Sequence, residues 1–147
     1  MRLHLSNVVL GLSLLASTAP AANHHSLNGT WKLMPSRTEY AGEPVVQTGT
    51  VTIYDREHNI YISRNFSYDG ENQSVDYRFT TDGRENSSIR QGKTFKSKAK
   101  WEDRILSVTT IGDSGEEHER YSLEPDGTLM LIVERPGHPA MTLHFEQ

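Results

Sequence analysis

The sequence predicts an all-β chain, an antiparallel up-and-down meander of about ten strands closed into a small β-barrel. Three observations predict it. Turn signals (Asp69-Gly70, Asp82-Gly83, Gly92, Glu102-Asp103-Arg104, Gly112-Asp113-Ser114-Gly115, Pro125-Asp126-Gly127 and Pro136-Gly137) recur roughly every 9–13 residues. The runs between them alternate apolar and polar, as in Val75-Asp76-Tyr77-Arg78-Phe79, which is the period-two pattern of a strand buried on one face. Four successive hairpins, paired through their turns, agree on a single apolar face. Closure is favoured over a two-sheet sandwich because it removes strand edges and because the strands follow one another as hairpins.

Taken from the start, residues 1–21 have the pattern of an export signal. Met1-Arg2 is a positive start, Val8–Ala16 an apolar run, and Ala19-Pro20-Ala21 a small-x-small cleavage site. The expected location is outside the cytoplasm, periplasmic or secreted. The apolar run falls short of the roughly 20 residues a membrane span needs, so no stable insertion is expected after cleavage. Residues 22–26 read as a flexible arm. Cleavage after Ala21 or after Ala22 places a histidine third, where amine, amides and imidazole can enclose Cu(II) or Ni(II). Such tripeptides arise readily by chance, and no metal or cofactor is expected. Residues 27–147 form one domain.

Within that domain each turn sets which residues lie opposite. Val51 and Ile53 are expected to face Ile62 and Ile60. An Asp69–Asn72 turn puts Phe66 against Val75, Arg64 against Tyr77 and Ile62 against Phe79. A two-residue Asp103-Arg104 turn pairs Trp101 with Leu106, Ala99 with Val108 and Ser97 with Thr110. Further on, Leu106 meets Tyr121, Val108 meets Glu119, and Glu119 meets Val133. Leu123 meets Leu129, Tyr121 meets Leu131, Leu131 meets Leu143, and Leu129 meets Phe145. Trp101, Leu106, Val108, Tyr121, Leu131 and Leu143 then share one interior.

Composition narrows the function. The chain has 15 basic and 19 acidic residues, a net charge of −4, and no cysteine. A mildly acidic surface argues against general nucleic-acid binding. Without cysteine there is neither a disulfide nor a thiolate metal site, which suits a bacterial periplasm better than an animal extracellular fluid. Four Asn-x-Ser/Thr sequons, at Asn28, Asn65, Asn72 and Asn86, read as chance occurrences.

The opening Leu27-Asn28-Gly29-Thr30-Trp31-Lys32-Leu33 resembles the Gly-x-Trp start of the calycins, the lipocalins and fatty-acid-binding proteins. Tyr77–Gly83, Ala99–Glu102 and Leu123–Leu129 resemble recurring elements of bacterial exported lipocalin-like proteins. The resemblance covers residues 27–147 and implies a lipocalin-like barrel that holds an apolar ligand. It also implies that Trp31 plugs the closed end, with Arg135 as its partner. The chain departs from the fatty-acid-binding pattern in two places. Pro35 to Pro44 is too short for two lid helices, and Leu143-His144-Phe145 stands where an Arg-x-Tyr pair would grip a carboxylate.

The expected function is binding of one small hydrophobic or amphipathic ligand by a monomer. The ligand-binding residues read from the inward face are Ile62, Arg64, Phe66, Tyr77, Phe79, Val108, Glu119, Tyr121 and Leu131. A buried cation needs a partner. Arg64 would therefore pair with Glu119 or, together with Tyr77, grip a ligand carboxylate. Two alternatives stand beside this reading. One is a filled barrel meeting another protein through outward Met130 and Ile132. The other is an isomerase or cyclase using Glu119 or a histidine as proton shuttle, although no catalytic role is expected. Lys93, Lys96, Lys98 and Lys100, with Arg90 nearby, read as a solvated basic stripe. His58, His118, His138 and His144 lack ligand spacing and read as surface histidines. Gly112-Asp113-Ser114-Gly115 echoes a protease motif but reads as a turn.

Overall fold

The computed structural model of the chain describes residues 26–40 and 45–147. The export segment, residues 22–25 of the arm and the histidines at 24 and 25 lie outside the described residues. Alternating burial builds the strands β1 (Gly29–Leu33), β2 (Val46–Arg56), β3 (Asn59–Tyr68), β4 (Glu71–Thr80) and β5 (Asp82–Arg90). They are followed by β6 (Lys93–Glu102), β7 (Ile105–Gly112), β8 (Gly115–Leu123), β9 (Leu129–Glu134) and β10 (Met141–Glu146). Neighbours in sequence are neighbours in space, and β1 pairs with both β2 and β10, so the ten strands close into an antiparallel barrel. One 3-10 turn, Pro35–Arg37, occupies the link after β1.

From β6 onward every expected cross-strand pair is present, including Trp101↔Leu106, Leu106↔Tyr121, Tyr121↔Leu131 and Leu131↔Leu143. Leu106, Val108, Tyr121, Leu131 and Leu143 are buried in one core, and Trp101 is half-buried against it. The two earlier hairpins differ from expectation by a two-residue slip. Val51 pairs with Arg64 and Ile53 with Ile62. Arg64 pairs with Val75, Ile62 with Tyr77 and Phe66 with Gln73. The cause is turn length: Asp69-Gly70 alone reverses the chain, both residues taking positive φ (44° and 82°), so no four-residue turn forms. A slip of two keeps every side chain on its face.

Asp82-Gly83 does not form a free turn either. It begins β5, followed by a register shift between Asp82 and Glu85. The β4–β5 ladder holds only Val75↔Arg90, Asp76↔Ile89 and Tyr77↔Ser88, so the two strands part beyond Tyr77. Met130 and Ile132 point outward as expected but are half-buried, because they lie beside His144 and Thr142 of β10 and Ser122 and Arg120 of β8. The four lysines of the stripe are exposed, and two have acidic partners, Lys96 with Glu85 at 3.8 Å and Lys100 with Glu102 at 3.1 Å.

Gly49 is buried opposite Phe66, and a Cβ added there would stand 2.9 Å from a Phe66 ring carbon. Phe66 is itself held against Phe145, ring centroids 6.0 Å apart. Gly49→Val should therefore cost about 1–3 kcal/mol through overpacking. Gly70→Ala, strained only by its φ of +82° in open space, should cost about 1–2 kcal/mol. Urea unfolding of both variants checks the two values.

Candidate functional site

All of the residues read as ligand-binding face the interior and are buried, Arg64 at 8% and Glu119 at 1% exposure included. Ile62, Tyr77, Tyr121 and Leu131 are fully buried, so no water-sized space touches them. The walls differ in chemistry. Trp31, Val51, Ile53, Leu129, Leu143 and Phe145 give β1, β2, β9 and β10 an apolar wall. Strands β3 to β8 bring in a polar one.

Its first part is a triad. The Arg64 guanidinium donates Nη1 to Glu119 Oε1 and to the Tyr121 hydroxyl at 3.3 Å, and that hydroxyl donates to Glu119 Oε2 at 3.1 Å. The same guanidinium lies 5.1 Å from the Phe66 ring centre. Burial alone would depress Arg64, but the Glu119 carboxylate beside it holds it well above its ordinary value. Burial and then the Glu119 charge push the Tyr77 hydroxyl up to about 12, and raise Tyr121 in the same direction. Arg64 thus pairs with Glu119, not with Tyr77 across β3–β4.

The second part lies nearer one end. Arg90, expected beside the outward lysines, instead faces inward, because it follows buried Ser88 by two residues on β5. It donates to both Glu117 oxygens, at 2.8 and 3.1 Å, and to the Tyr77 hydroxyl at 2.8 Å. Ser88, Ser97 and Thr110 run beside it as a buried hydroxyl chain with steps of 2.8 and 2.9 Å. Arg90, Glu117, Thr110 and Phe95 line a cavity of about 390 Å³, rimmed by the Gly112–Gly115 turn, Arg135 and His138. It lies at the barrel end, here the mouth, that carries the β7–β8 and β9–β10 turns. Parity could have found Arg90 and Glu117, but not the opening between the turns.

Trp31 donates Nε1 to the Leu27 carbonyl at 2.9 Å, while Arg135 lines the mouth. The four singled-out histidines are exposed or half-buried, and the Gly112–Gly115 segment is the β7–β8 hairpin turn.

Ten antiparallel strands in sequential order around one core decide the architecture. The fold is a closed, up-and-down barrel of ten antiparallel strands. Neither a protein-family model nor a curated protein sequence matches the chain. Solved structures do. The fatty acid transporter REP1-NXSQ has a TM-score of 0.64 at 17% identity, covering 82% of this chain and 95% of that one. Human cRBP IV has 0.62 at 19% identity, covering 83% and 98%. A fatty-acid-binding protein from Manduca sexta has 0.57 at 12%, covering 82% and 98%. At these identities the likeness concerns the backbone.

Removing one partner of a buried ion pair strands the other. Arg64→Met should cost about 3–5 kcal/mol, and adding Glu119→Gln should recover most of it, since a neutral amide needs no counter-charge. Denaturant titration of the single and double variants measures the coupling. Raised tyrosine values also carry a sign. The unfolded chain releases the Tyr77 proton near pH 10 and the folded chain near pH 12, so this contribution is whole below pH 10 and lost as pH rises to about 12. Tyr77→Phe should flatten the fall in unfolding free energy across that window.

Proposed function

We propose that this chain is an exported binding protein that holds one small hydrophobic or amphipathic molecule in its barrel and catalyses no reaction. The observation that carries the reading is the inward-facing cavity of about 390 Å³ at the mouth of β5–β8, which adjoins the core through Tyr77 and Thr110. Its size lies in the range of small-molecule sites. Its composition fits an amphipathic guest: the Phe95 ring offers an apolar surface, while Arg90, Glu117 and Thr110 offer donors and acceptors. The solved barrels of like fold support the reading by what their names state, fatty acid transport and fatty-acid binding.

In this proposal the guest's polar end sits among Arg90, Glu117 and Tyr77. Beneath it the Arg64–Glu119–Tyr121 triad and the apolar side chains of Ile62, Phe66, Phe79, Val108 and Leu131 form a packed floor, which a longer guest would enter only by displacing them. Because Glu119 already neutralises Arg64, a ligand carboxylate would compete with the protein's own. The export signal read in residues 1–21 adds a periplasmic or secreted location, which sequencing the N-terminus of protein from its own host would test, Ala22 being the expected start.

A second reading is favoured by the full burial of Ile62, Tyr77, Tyr121 and Leu131. In it the barrel is filled by its own side chains and meets another protein through its outer wall. One variant separates the two. Gly112 faces the mouth, and a Cβ there meets only the Gly115 carbonyl, at 3.8 Å. Gly112→Trp should fill the mouth and weaken binding of a fluorescent long-chain fatty acid and of its methyl ester by about tenfold or more, with the fold retained. Saturable binding that Gly112→Trp leaves unchanged, or no binding at all, would overturn the carrier reading.

A further inference from the structure

Outside the barrel, at the end opposite the mouth, the registers set two rows of side chains across β2, β3 and β4. One row is Tyr54↔Tyr61↔Arg78 and the next is Arg56↔Asn59↔Thr80. The tyrosine rings stack at 6.1 Å between centroids with 21° between planes, and the Arg78 guanidinium lies 5.3 Å from the Tyr61 centroid. Tyr61 donates its hydroxyl to Asp76 at 3.1 Å, which fixes the middle ring, while Tyr54 is 56% exposed. Where β4 and β5 part, Ile60, Phe79 and Asn86 add a floor and an edge. Together these groups line a cleft of about 600 Å³, larger than the mouth and separate from it.

The cleft carries two cations that no acid offsets. Arg37, Arg64, Arg84, Arg90 and Arg120 each have an acidic partner. Arg56 and Arg78 form no ion pair with a described residue, although the chain carries a net charge of −4. Two guanidinium groups without an acid, one over the Tyr61 ring and one in the adjoining row, favour a flat ring bearing an anionic group. Asn59, Asn86 and Thr80 add amide and hydroxyl groups at the edge, suited to ring hydroxyls.

We infer that this outer cleft is a second binding site, for an acidic saccharide. A sugar ring stacks on the exposed Tyr54, which Tyr61 backs, Arg56 and Arg78 hold its carboxylate or sulfate, and the asparagines and Thr80 bond its hydroxyls. The cleft shares no residue with the mouth and touches the interior at the buried Ile60 and Phe79 alone.

Calorimetric titration of the full-length protein with oligogalacturonate, and with its methyl-esterified form, isolates the charge on the same ring. The acid should bind saturably, and the neutral ester about tenfold or more weaker. Arg56→Gln with Arg78→Gln should erase that difference, Tyr54→Ala should weaken the acid about tenfold, and Gly112→Trp should change neither. Tyr54, Arg56 and Arg78 are exposed, so these variants should keep the parent's unfolding midpoint. Sulfated oligosaccharide distinguishes the two anion sources within the class, and either binding alone supports the site. Three results would overturn it: no acidic sugar binds, acid and ester bind alike, or the Tyr54 and arginine variants bind as the parent does. Naphthalene sulfonate bound in preference to every acidic sugar would overturn the saccharide class.

Discussion

The seam at β1 is the constraint on which this barrel depends. A sheet of ten strands closes only if its first and last strands meet, and β1 pairs with β10 at just Lys32↔Glu146 and Leu33↔Phe145. The chain after β1 extends that short ladder: Met34 donates to the His144 carbonyl at 2.7 Å, and Glu39 and Thr142 exchange bonds of 2.8 and 3.0 Å. The link between β1 and β2 thus serves as a continuation of the seam in a place where a separate covering layer would leave β10 partly unpaired. Unpaired edges are costly in an all-β protein, and Met34 and Glu39 supply pairing that β1 alone does not.

Closure forces all inward side chains into one space, and that space must satisfy every polar group within it. Sequential hairpins put the charges on β3, β5 and β8 and the hydroxyls on β4 to β8, so partners come from strands far apart in sequence, as Arg64 and Glu119 do. The Tyr77 hydroxyl accepts from Arg90, and the Tyr121 hydroxyl accepts from Arg64 while donating to Glu119. The two tyrosines therefore join ionic groups to apolar walls. A buried ion pair of this kind is weak evidence of stability against an apolar replacement. Its value lies in uniqueness, because a wrong register would leave at least one charge alone.

Most of this was legible because a period of two is forgiving. Placing Arg64 opposite Tyr77 instead of Val75 was an error of two residues, yet it left Arg64 inward and Glu119 as its partner. Turns with Gly or Asp at positive φ set the later hairpins correctly. The earlier ones depended on how many residues each turn used, which composition alone does not determine: Asn72 could end a turn or begin a strand. The mouth and the outer cleft were not legible for a different reason. Both arise where ladders stop, and the parting of β4 from β5 after Tyr77 reflects how twist accumulates around a closed barrel, a property of ten strands together.

The same parting accounts for the division between inside and outside. Continued pairing beyond Tyr77 would set Phe79 across from the stretch around Asn86 and carry β5 along the edge of β4. With β5 withdrawn, Phe79 and Asn86 line the cleft edge, and the rows ending at Arg78 and Thr80 lack a neighbouring strand beside them. On β6, by contrast, Lys98 and Lys100 stand across from Glu85 and Asp82 of β5, and Lys96 reaches Glu85 at 3.8 Å, so part of their charge is met by the neighbouring strand. Arg78 therefore stands where the barrel supplies no adjacent strand. Loss of a ladder at one point both opens the cleft and leaves Arg78 unmatched, and a single departure from regular pairing is enough to produce both.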